Sequence, residues 1–119
     1  MPKTLVIGAS SNPNQYSHLA ILRLLSAGYQ VEAIGRESFH VGKTLVSNHR
    51  IDSKDIHTVT LYLNRERQKE YEDYILALHP KRIIFNPGAE NPDLFNRARQ
   101  LGIEAIEACT LVMLATRSY

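Results

Sequence analysis

The spacing of hydrophobic positions changes several times along the chain, and each change marks an element boundary. From Thr4, Leu5-Val6-Ile7 is an unbroken apolar run, as in a strand covered on both faces of a parallel sheet. The stretch Gly8-Ala9-Ser10-Ser11-Asn12-Pro13-Asn14-Gln15 is small and polar, which predicts a loop. From Ser17 to Ala27 the period becomes helical. Leu19, Leu22 and Leu25 share one side and Ile21 and Leu24 widen it, a stripe suited to burial against a sheet. Ser17 is placed to cap this helix, and Gly28 follows its last residue as a left-handed stop. Gln30 to Ile34 reads as a second strand, ending at Gly35-Arg36.

Between Glu37 and Ile56 the pattern is polar and irregular, with one short candidate strand, Thr44-Leu45-Val46, after Gly42-Lys43. His57 to Leu63 is β-branched and aromatic, hence a strand. Asn64 caps a predicted helix over Arg65 to Leu78. Tyr71, Tyr74, Ile75 and Leu78 face inward there, while Arg65, Glu66, Arg67, Lys69, Glu70, Glu72 and Asp73 face water. Pro80 ends the helix by excluding His79 from helical geometry. Arg82 to Phe85 is a strand that stops at Asn86-Pro87-Gly88. Asn91-Pro92-Asp93 opens a helix whose buried side is Leu94, Ala98 and Leu101, closed by Gly102. Ile103 to Glu107 alternates apolar and acidic residues, as at a half-exposed sheet edge. The segment from Ala108 holds Leu111-Val112-Met113-Leu114, a short helix packing back on the sheet.

Strands alternating with helices over short turns predict an α/β fold: a doubly wound, mostly parallel sheet with helices on both faces. Right-handed crossovers then bring the carboxyl ends of the strands to one rim. Gly8, Arg36, Asn64 and Asn86-Pro87-Gly88 all fall at such ends. The first strand should be central, with its loop beside Asn86 to Gly88.

Composition narrows the picture. The 119 residues suffice for one domain spanning the chain and leave nothing for a second, substrate-binding one. That favours ligand binding with little chemistry, or an active site completed by another subunit. A net charge of +2, without a stripe of Lys and Arg, argues against nucleic acid. The single cysteine excludes an internal disulfide, and no apolar run approaches a membrane span. A core strand begins within four residues of Met1, leaving no room for a signal peptide, so a cytoplasmic location is expected. The five histidines have no metal-ligand spacing, no catalytic triad or acid pair is visible, and Cys109 reads as a small core residue.

The first loop carries the clearest chemistry. Free N–H groups and the positive end of the helix dipole form a cradle for an anion such as a phosphate. In open parallel sheets nucleotides bind at this position. His18 lies in the first helical turn, within reach of such a phosphate or at the surface. After the second strand, folds of this kind that bind NAD carry an acidic residue; Gly35-Arg36 favours a phosphorylated ribose instead.

Val6-Ile7-Gly8-Ala9-Ser10, Asn12-Pro13, Ser17 and Gly28-Tyr29 together resemble the small CoA-binding domain proteins. These are single Rossmann-like domains related to the CoA-binding domain of the succinyl-CoA synthetase alpha subunit. The likeness continues through Val41-Gly42-Lys43, Gly88 and Gly102-Ile103 to Cys109. It implies coenzyme A or an acyl-CoA lying over Gly8, Ala9, Ser10, Asn12, Pro13 and Ser17. The nucleotide end would then run along Gly35, Arg36, Asn64, Asn86, Pro87 and Gly88. Two departures stand out: the family usually has Asn-Pro where this chain has Gly35-Arg36, and Gln where it has Asn86. The expected role is a non-catalytic binding or regulatory module, with a protein partner or a homo-oligomer possible. The alternative is a small NADP-dependent or acyl-CoA-handling enzyme completed by another subunit.

Overall fold

In the computed structural model, which describes residues 2–119, the chain forms one seven-stranded sheet with the order β3-β4-β2-β1-β5-β6-β7. The strands are β1 (Lys3–Ala9), β2 (Gln30–Gly35), β3 (Phe39–Val41), β4 (Thr44–Ser47), β5 (Ile56–Leu61), β6 (Arg82–Phe85) and β7 (Glu104–Glu107). All neighbours pair in parallel except β3 with β4. The helices are α1 (Tyr16–Ser26), α2 (Arg65–Gln68), α3 (Glu72–Leu78), α4 (Pro92–Gln100) and α5 (Thr110–Ala115).

The expected α/β architecture is present, with β1 at the centre and β7 at an edge. Strand β1 shows why. Leu5 and Ile7 point into a core with Leu61, Ile75, Ile83, Phe85 and Leu94, under α3 and α4. Val6 and Ala9 point the other way, against Ile21 and Leu24 of α1 and Leu114 of α5. An unbroken apolar strand needs cover on both faces, and two helical layers supply it.

Several local expectations are corrected. Helix α1 buries Ser17, Ala20, Ile21 and Leu24, whereas Leu22 is exposed and Leu19 and Leu25 are half-buried. The small Ala20 lets the helix approach the sheet, so the buried stripe is rotated from the leucines. Ser17 is not its cap: Gln15 holds that position without a side-chain bond, and Ser17 lies inside the first turn. The helix expected over Arg65 to Leu78 is broken into α2, a 3-10 turn at Lys69–Tyr71, and α3. The break lets Gln68 turn fully inward, where Nε2 donates to Leu63 O (2.8 Å) and Ala89 O (2.7 Å). Glu72 accepts from Asn91 and Arg97 rather than facing water, and Leu101 is exposed rather than buried in α4. His79 does leave helical geometry, but to the left-handed region (φ 49°). Strand β3, hidden in the polar stretch after Glu37, forms a hairpin with β4 through Gly42-Lys43.

Candidate functional site

Because β1, β2 and β4 to β7 run parallel, their carboxyl ends form one rim. At its centre Gly8 has φ +96°, a conformation glycine adopts without strain. A Cβ there would meet Tyr62 C at 3.0 Å and Leu63 Cγ at 3.1 Å, so the end of β1 lies tight against the end of β5. The register between β1 and β2 shifts between Ile7 and Ala9, which brings Ala9 opposite Gly35. A Cβ on Gly35 would stand 2.6 Å from Ala9 O. Both glycines therefore serve close strand approach, and Ala9 itself is buried in the α1 core.

Beyond Ala9 the loop is held by its own polar groups. Ser10 N–H donates to Ser17 Oγ (3.2 Å), and Asn12 N–H to Ser10 Oγ (3.1 Å). Asn14 N–H donates to Asn12 Oδ1 (3.0 Å), and Gln15 N–H to Asn12 O (3.0 Å). His18 Nδ1 lies 2.8 Å from Ser10 O. Ser17 thus acts backward on the loop instead of forward on the helix. Among the described residues, the N–H groups of exposed Ser11 and Tyr16 have no partner. The first turn of α1 contains no acidic residue to oppose an anion there. Asn12 and Pro13 form the exposed outer edge of the loop.

The other rim positions divide into anchors and free groups. Asn64 caps α2, its Oδ1 accepting from Arg67 N–H at 2.9 Å. Asn86 is buried; its Nδ2 donates to Thr60 Oγ1 (2.7 Å) and Leu61 O (2.9 Å), and its Oδ1 accepts from Thr110 N–H (2.8 Å). The Asn86 amide is occupied at both ends within the protein, whereas exposed Asn64 engages its Oδ1 alone. Pro87 and Gly88 are exposed, and Gly88 (φ +90°) has open space where a side chain would be. Its N–H donates to the Glu90 carboxylate at 3.0 Å. The loop is pinned from below by Gln68 and Asn91, whose Nδ2 donates to Gln68 Oε1 at 2.9 Å. Arg36 is exposed at the end of β2 and carries no ion pair among the described residues.

The expected placement of the first loop is met: it and Asn86 to Gly88 stand at the same end of the sheet, on either side of β5. Sequence reasoning passed over Tyr62, which follows β5 at this rim. Its hydroxyl is buried and makes no hydrogen bond within the distance limits of one, although it lies near the hydroxyls of Thr60 and Thr110, which bond to each other at 2.8 Å. Burial pushes this phenol up to about 12, with Thr110 opposing the shift. Thr58, Thr60 and Tyr62 alternate along one face, and that period was the available signal. Cys109 is half-buried at the start of α5, not enclosed in the core.

Two cavities lie away from this rim. One of about 660 Å³ is lined by Arg50 to Asp55, Tyr74, Ala77 and Leu78, and one of about 300 Å³ by Leu25, Tyr29, Val31 and Lys43. Both sit toward the amino ends of β5 and β2. No group of His, Cys, Asp and Glu that could hold a metal occurs among the described residues. No helix there is long and apolar enough to cross a membrane.

Known proteins resemble this arrangement. The family model described as CoA binding domain matches residues 2–115. A crystal structure of an uncharacterized protein is 42% identical, with TM-score 0.96, covering 100% of this chain and 98% of its own. A Thermus thermophilus protein shares 17% identity at TM-score 0.86, with 99% and 90% covered. An acetyl-coenzyme A synthetase of Ca. Korarchaeum cryptofilum, solved with phosphate and ADP, shares 17% at TM-score 0.72; 89% of this chain matches 25% of that one. The latter two likenesses establish the fold. No curated protein matches the chain.

Proposed function

The chain belongs to the CoA binding domain family, and on that premise we propose that it binds coenzyme A or an acyl-CoA at the carboxyl rim. The family match over residues 2–115 carries this reading. The rim supports it with free donors at Ser11 and Tyr16, the unpaired Arg36, and open space beside Gly88. In this reading the loop from Gly8 to Pro13 receives the pyrophosphate, with Ala9, Ser10 and Ser17 setting its shape. Gly35 brings β2 close enough for Arg36 to reach the ribose phosphate. Asn64 and Asn86 hold the rim in place through side chains already engaged, and Pro87 and Gly88 offer backbone contact. The whole chain acts as one non-catalytic binding or regulatory unit.

The test uses a pair of ligands that differ by one phosphate. CoA carries a 3′-phosphate and dephospho-CoA does not. A guanidinium can grip a phosphate with two parallel charged hydrogen bonds. Calorimetry should show wild type preferring CoA by about 1.5–3 kcal/mol, the range for a hydrogen bond to a charged group. Arg36→Ala should erase most of that preference and leave dephospho-CoA binding nearly unchanged. Equal discrimination by both proteins would return Arg36 to the surface. NADP gains no support from the family, and tighter binding of NADP than of CoA would overturn the ligand assignment.

A further inference from the structure

We infer that His18 is a positioning residue for the ligand's phosphates, acting through the Ser10–Ser11 peptide. The inference rests on the reading that the first loop faces coenzyme A. Three observations carry it. His18 Nδ1 lies 2.8 Å from Ser10 O. A carbonyl oxygen only accepts, so the hydrogen belongs on Nδ1 in both the neutral and the charged ring. No peptide bond among the described residues is cis, and in a planar trans peptide the C=O and the following N–H point in opposite directions. Drawing the Ser10 carbonyl toward His18 therefore turns the Ser11 N–H away from α1. Ser11 is exposed and its N–H has no partner within the described residues. Meanwhile the Ser10 N–H is withdrawn from ligand duty by Ser17 Oγ at 3.2 Å. Two side chains one position apart on α1 thus decide which of two adjacent backbone donors is offered outward. Without His18 the peptide plane is free to rotate, and the donor loses its fixed direction before any ligand arrives.

The experiment has a ligand-free arm and a ligand arm, applied to wild type, His18→Ala, His18→Gln and His18→Asn. Asparagine places an amide donor where Nδ1 stands; alanine offers none, and glutamine carries its amide one carbon further. Without ligand, nitrogen NMR of the imidazole should show the neutral ring protonated on Nδ1. The amide signals of Ser10 to Asn12 should shift or broaden in His18→Ala and return in His18→Asn. With CoA, calorimetry should show affinity reduced at least fivefold in His18→Ala and His18→Gln but within twofold of wild type in His18→Asn. A ring protonated on Nε2, or loop signals unmoved by His18→Ala, would overturn the inference whatever the ligand. Equal CoA affinity in all four proteins would overturn it while the binding function stands. Failure of folded wild type to bind CoA would remove the proposed function, and the ligand role of His18 with it. The ligand-free spectra would still decide the orientation of the peptide.

Discussion

Replacing Asn86 with alanine should be among the most damaging single changes at the rim, although the residue is buried. Its amide joins three elements, donating to Thr60 Oγ1 and Leu61 O of β5 and accepting from the first N–H of α5. Alanine removes three buried hydrogen bonds, each contributing about 1 kcal/mol net. It also leaves the N–H of Thr110, which is 0% exposed, without a partner. A buried unsatisfied donor costs about 1–3 kcal/mol, part of it already counted in the lost bond. The expected loss is therefore about 3–4 kcal/mol. With a urea slope of about 2 kcal/mol per molar, the unfolding midpoint should fall by about 1.5–2 M. Asn86→Asp, of the same shape, keeps an acceptor for Thr110 and loses the donors. Its buried carboxylate faces the Leu61 carbonyl, which raises its folded pKa above the unfolded value of about 3.9. Relative to wild type, its stability should accordingly be highest at low pH and decline as pH rises through the folded value. A loss below about 1 kcal/mol for Asn86→Ala, at unchanged urea slope, would refute the reasoning.

Other changes test neighbouring features. Gly35→Ala should cost about 1–3 kcal/mol in urea unfolding, the usual range for overpacking, because its Cβ would meet Ala9 O at 2.6 Å; an unchanged midpoint would show that β1 and β2 can separate freely. Tyr62→Phe should leave stability at pH 7 unchanged or raise it by up to about 1 kcal/mol, since the lost hydroxyl is buried without a partner. Tyr62 ionises at about 12 in the folded state against 10.0 ordinarily. Its contribution is thus fully present below pH 10 and lost as pH rises toward 12; Tyr62→Phe should flatten that part of the alkaline unfolding curve. His57 runs the opposite way: burial first, then Arg82 and Lys81, hold it below 6.5. Stability should therefore fall as pH drops below 6.5, and His57→Gln should reduce that fall.

Much of the architecture was legible because burial on two faces leaves a plain mark. Leu5-Val6-Ile7 reads as a strand between two layers, and the Gly28, Asn91-Pro92 and Gly102 boundaries follow local backbone chemistry. What escaped depends on partners distant in sequence. Ser17 looks like a helix cap until Ser10 claims its oxygen. Gln68 sits among charged residues in the sequence, with no mark of burial there, yet Leu63 and Ala89 offer it carbonyls where the helix breaks. The face of α1 was misjudged because side-chain size, at Ala20, outweighed hydrophobicity, at Leu22. Strand β3 is three residues long and stabilised by its neighbour β4, so no period could reveal it. At the rim, position was readable from topology. Whether a polar side chain faces outward or is engaged within, as in Arg36 against Asn86, was not.

Residue-resolved amide NMR during a titration with CoA tests the central claim most directly. Binding at the carboxyl rim predicts saturable shifts at Gly8 to Asn12, Tyr16, Arg36 and Gly88. The signals of Arg50 to Asp55 and Tyr74, around the 660 Å³ cavity toward the amino end of β5, should stay in place. Shifts confined to that cavity, or no saturable shifts with folded protein, would contradict CoA binding at the rim.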